Sequence, residues 1–117
     1  MIGRLVNPGP VRLEAVQALE NGLQLRFDRK AEFHQEDIDG AFGMFLLAEG
    51  RAQQGTLSID GVPVRWRIRP TERGLLVHFV AVRALQVDAR GVERDGGWGM
   101  VLEVSPATPG STRASGR

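Results

Sequence analysis

The dipeptide Asp60-Gly61 constrains this chain most, because it joins two segments in which apolar and polar residues alternate. Asp-Gly between such segments marks a two-residue β-hairpin turn with positive φ at both positions. The turn pairs Thr56 to Ile59 with Val62 to Arg69, setting Ile59 opposite Val62 and Leu57 opposite Val64. Leu57, Ile59, Val62, Val64, Trp66 and Ile68 then share a face. Pro63 has no amide hydrogen, and its nitrogen points away from the hairpin partner. Any second neighbour of that strand must begin beyond Pro63 or be absent there.

After the turn region Arg69-Pro70-Thr71-Glu72-Arg73, the stretch Leu75 to Val82 is apolar on both parities except at His78. A strand of that kind is expected at the centre of a sheet, covered on each side. Alternation continues to Asp88, too long for one strand, so a bend or bulge is expected near Arg83-Ala84. Arg90 to Gly97 reads as a polar loop and Gly99 to Ser105 as a last strand. Val11 to Leu19 and Leu23 to Asp28 read as a further hairpin around a three-residue loop, Glu20-Asn21-Gly22. That register pairs Leu19 with Leu23, Gln17 with Leu25 and Ala15 with Phe27. It places Leu13, Ala15, Leu19, Leu23, Leu25 and Phe27 on one face.

The stretch between these hairpins is ambiguous. Ile38, Phe42, Phe45, Ala48 and Ala52 recur at three- and four-residue intervals, which suits a helix face. Gly40, Gly43 and Gly50 oppose it, each costing about 1 kcal/mol in a helix interior. The rival is a strand at Phe42 to Ala48. The helix is preferred. The expected fold is therefore β-rich α+β: an antiparallel sheet of six or seven strands, curled or closed into a small barrel, with one helix near 36–52. An all-β fold is the alternative. Residues 1–105 form one domain in this reading. Residues 106–117, with no hydrophobe larger than alanine, form a disordered tail.

Composition narrows the function classes. The chain has 117 residues, no cysteine and a formal net charge of +1, which gives no global reason to expect nucleic acid or an anionic membrane as partner. No apolar run approaches the ~20 residues that span a bilayer. Met1-Ile2-Gly3-Arg4-Leu5-Val6-Asn7-Pro8 lacks the apolar core of a signal peptide, so a cytoplasmic location is expected. Lys30 is the only lysine. The other cations are arginines, whose planar fork suits carboxylates and phosphates.

One polar constellation follows from the strand register. If Ile68 pairs with Leu75, the face opposite Trp66 carries Arg65, Arg67 and Arg69, with His78 across from Arg65 and with Thr56 and Ser58 alongside. Such a stripe suits an anionic ligand or a nucleic-acid backbone. Unbound, it is a wet strand face, or its arginines are partnered by Glu72, by Glu103 or by a second subunit. His34, Glu36, Asp37 and Asp39 lie close in sequence but offer at most two ligands on one helix side, so no metal site is assigned. Gly96-Gly97-Trp98-Gly99 precedes a strand, unlike a phosphate loop. General acid–base chemistry would fall to His78 alone. No cofactor is implied. The preferred reading is a non-enzymatic interaction module that binds a protein partner or itself as a homodimer. Anion binding by Arg65, Arg67, Arg69 and His78 is the alternative.

Overall fold

The computed structural model describes residues 9–37 and 41–107, in which nine strands form two antiparallel sheets and no helix occurs. The strands are β1 (Leu13–Leu19), β2 (Gly22–Phe27), β3 (Phe33–Gln35), β4 (Phe42–Leu46), β5 (Gln53–Ile59), β6 (Val62–Thr71), β7 (Gly74–Val80), β8 (Leu85–Arg94) and β9 (Gly97–Pro106). One sheet has the order β1-β2-β9-β8 and the other β3-β4-β7-β6-β5. Neither closes into a barrel. Their inner faces meet in one core: Leu23, Leu25, Phe27, Met100 and Leu102 from the first sheet, and Met44, Leu46, Ile68, Val77 and Phe79 from the second. No polar or charged residue among those described is buried.

The expected helix near 36–52 is overturned. Phe42, Met44 and Leu46 point from β4 into the core, and β4 pairs with β7 from Phe42–Phe79 to Leu46–Leu75. A period of two within five residues is easily mistaken for part of a helical face. The barrel of six or seven strands fails with it. What looked like one bent strand from Leu75 to Asp88 is two strands in different sheets, β7 and β8, with the chain crossing between them at 81–84. The supposed loop at Arg90 to Gly97 is the end of β8 and a two-residue turn at Asp95-Gly96, since Arg94 pairs with Gly97.

The second hairpin has the expected register. Asp60 and Gly61 have φ of 52° and 78°, and Ile59 faces Val62. In such a hairpin the pair beside the turn exchanges hydrogen bonds, and bonding then alternates along the strand. Even-numbered residues of β6 therefore bond to β5 and odd-numbered ones to β7. Pro63 would aim its nitrogen at β7, and β7 pairing begins only at Arg65. Pro70 would aim its nitrogen at β5, and β5 pairing stops at Ile68. Two prolines thus mark where each neighbour of β6 ends.

Two registers differ from expectation. The first hairpin turns at Glu20-Asn21, one residue shorter than expected, so Leu19 faces Gly22 and Ala18 faces Leu23. A one-residue slip exchanges the faces of a strand, which takes Ala15 and Leu19 off the core side of β1 and puts Val16 there. An irregularity between Leu13 and Ala15 brings Leu13 back to face Phe27. The β6–β7 turn is also tighter, at Glu72-Arg73, with Thr71 opposite Gly74. The Thr71 hydroxyl accepts from the Arg73 amide at 3.1 Å and donates to the Gly74 carbonyl at 2.8 Å, closing the turn locally. That moves the register by two residues, so Ile68 meets Val77 and the faces are conserved.

Candidate interaction face

Strand alternation builds the site. Val64 and Ile68 are buried on the inner side of β6, so Arg65, Arg67 and Arg69 project outward, and all three are exposed. The pairing ranks their neighbours in rows across the sheet. Thr56, Arg65 and Val80 form one row, and Gln54, Arg67, His78 and Gly43 the next. Arg69, Leu76, Phe45 and His34 form a third. His78 thus stands across from Arg67, two residues from its expected partner Arg65, while Thr56 flanks Arg65 as expected. Successive arginines are about 7 Å apart along the strand.

Neither acid anticipated as a partner reaches the stripe. Glu103 lies on the other sheet, 3.8 Å from Arg90. Glu72 sits in the β6–β7 turn without an ion pair among the described residues. Within those residues Arg65, Arg67 and Arg69 make no ion pair either. His78 is half-buried, and its Nε2 is shielded from solvent without a hydrogen-bond partner among the described residues. Leaving such an atom unpaired costs about 1–3 kcal/mol.

Apolar groups adjoin the stripe. Leu76 is covered, Val80 is 43% exposed, and Arg73 lies over the Phe45 ring at 4.3 Å. At the β3 end Glu36 lies 3.6 Å from His34 and 3.9 Å from Arg73. No three His, Asp or Glu side chains converge on a metal-sized site among the described residues; Asp39 falls outside them.

A hollow of about 1340 Å³ opens at one end of the sandwich between the start of β1, residues 47–53 and the β6–β7 turn. Two smaller ones, about 370 and 470 Å³, lie elsewhere. None is lined by Arg65, Arg67, Arg69 or His78. These features define a two-sheet antiparallel β-sandwich with a basic outer face. No family model, curated protein or solved structure matches the chain. No helix among the described residues is long and apolar enough to cross a membrane.

The outer positions of β6 were legible in the sequence because parity alone sets them. Phe45 was not, because its spacing from Phe42 and Ala48 also suits a helix face, and the Arg73–Phe45 contact depends on the tight Thr71 turn.

Proposed function

We propose that this chain is a non-enzymatic interaction module whose outer five-stranded face binds an acidic protein surface. The observation that carries the reading is the row of three exposed arginines on one strand face, unpaired among the described residues. Small-molecule sites are concave and enclose most of their ligand, and the three hollows described above are lined by other residues. A broad partner suits a row of arginines spread along an exposed strand face, and arginine is enriched in protein interfaces. Phe45 and Val80 add apolar contact beside the charges. A partner with carboxylates would neutralise the stripe, whereas a second copy of the same face would oppose arginine to arginine.

The test is an NMR titration of the full chain with a polyglutamate peptide, run beside a double-stranded oligonucleotide. Shifts at Arg65, Arg67, Arg69 and His78 with polyglutamate, weakening with salt and lost in R65Q/R67Q, are the expected result. Because both side chains are exposed, that double variant should keep the wild-type melting temperature to within about 2 °C. An undisturbed spectrum with polyglutamate rejects the reading, and shifts confined to the oligonucleotide would transfer the stripe to nucleic-acid binding.

A further inference from the structure

The two sheets have four edge strands, and three are protected against pairing with another chain. β1 carries Glu14 and an irregularity between Leu13 and Ala15, and its start is bonded to Glu49. β3 has only three residues. β8 carries Asp88, Arg90, Glu93 and Arg94. Charges, bulges and shortness are the usual guards of a sheet edge. β5, Gln53-Gln54-Gly55-Thr56-Leu57-Ser58-Ile59, has none of them: seven residues, no charge, no proline, and an unbroken register with β6.

Its backbone polarity is fixed by the Asp60-Gly61 turn. Gln53, Gly55, Leu57 and Ile59 direct their amides and carbonyls at β6, so those of Gln54, Thr56 and Ser58 point outward. No backbone bond outside the β5–β6 ladder reaches these three among the described residues. We propose that β5 pairs antiparallel with β5 of a second copy, about a two-fold axis at Thr56.

The occupant follows from self-complementarity. Centred on Thr56, the register joins Thr56 to Thr56 and Gln54 to Ser58 in both directions. All three outward-directed residues are then used, giving roughly six backbone hydrogen bonds. Outer-face side chains meet as a Thr–Thr pair, which is favourable across strands, and as two uncharged Gln–Ser pairs, so no like charges are opposed. On the inner face Gly55 meets Leu57 of the second copy. A Cβ on Gly55 would lie 2.7–2.8 Å from atoms of the Trp66 indole, so that ring already spreads to the edge and gives this leucine an apolar neighbour. The arginine stripes do not oppose the pairing. Arg65 of the two copies would lie three strand spacings apart, about 14 Å, beyond the screening length at physiological salt. The result is one continuous ten-stranded sheet. The proposal is independent of what the arginine face binds.

The absence of cysteine from the chain makes the register directly testable. T56C places its two thiols on the axis, within the Cα separation a disulfide spans, and should cross-link to a covalent dimer under mild oxidation. Q54C and S58C each lie about 14 Å from their own copies in this register. Neither should cross-link alone, and the two mixed should. A charge test supports it: T56K and T56E should each sediment as monomers, and an equimolar mixture should recover the dimer. Efficient cross-linking of S58C alone, or absence of cross-linking by T56C, overturns the register. A wild-type chain that sediments as a monomer at roughly 100 µM, a concentration above weak micromolar affinity, overturns the dimer.

Discussion

Gly61 and Gly55 are required for different reasons. Gly61 has φ of 78° in a turn where no atom approaches the position of a Cβ. Its substitution therefore tests backbone strain alone. G61V should lower stability by about 1 kcal/mol or more through the left-handed conformation, read from urea unfolding. A neutral result would show that the turn relaxes to another type. Gly55 has ordinary strand geometry but lies beneath the Trp66 indole. G55V must move that ring, and overpacking of this kind costs about 1–3 kcal/mol. Its marker is a shift in tryptophan emission, which G61V should leave unchanged. Equal emission spectra for the two variants would mean that the indole does not rest on Gly55.

Among the elements, β7 is the most constrained. It is bonded to β4 on one side and β6 on the other, and Leu75, Val77 and Phe79 are fully buried. The central position expected from its doubly apolar sequence is the observed one. The cover is asymmetric, however: sandwich packing closes the inner face, while Leu76, His78 and Val80 share the outer one with the arginines. F79A should cost about 3–5 kcal/mol as a large-to-small core change. V82A, at a side chain 92% exposed, should cost less than about 0.5 kcal/mol. Comparable losses in thermal unfolding would contradict this burial pattern. In hydrogen exchange the β7 amides should be the slowest and those of the three-residue β3 among the fastest.

At the scale of the whole molecule, the C-terminal strand, interior to the first sheet, runs further along than its sequence suggests. Pro106 pairs with Leu85, and the Ala107 amide donates to the Ala84 carbonyl at 2.9 Å. The expected disordered segment therefore begins inside a strand, and its remaining part, 108–117, lies outside the described residues. A chain ending at Ala107 keeps both contacts and loses no residue larger than arginine's neighbours Thr, Ala, Ser, Pro and Gly except arginine itself. It should melt within about 2 °C of the full chain. A chain ending at Ser105 removes both contacts and should melt lower. If the Ala107 truncation also falls by several degrees, the tail contributes to the fold.

Strand identity in β6, β7, the second half of β5 and most of β9, and the facing of β6, β7 and that half of β5, were determined by the sequence, because alternation and one Asp-Gly turn are local physics. Parity survives a two-residue change of register, so the outward placement of Arg65, Arg67, Arg69 and His78 needed no tertiary information. Which of them stand side by side did need it, because the Thr71 hydroxyl tightened a turn that composition leaves open. The tertiary structure also decided what becomes of Met44-Phe45-Leu46. These residues suit either period in isolation, and only the β7 edge beside them, offering backbone partners and a core to fill, selects the strand. Division into two sheets was likewise a tertiary decision. Nothing local at Arg83-Ala84 distinguishes a bend within a sheet from a crossing between sheets. That choice is set by the inner faces of the two sheets, which bury their apolar residues only against each other.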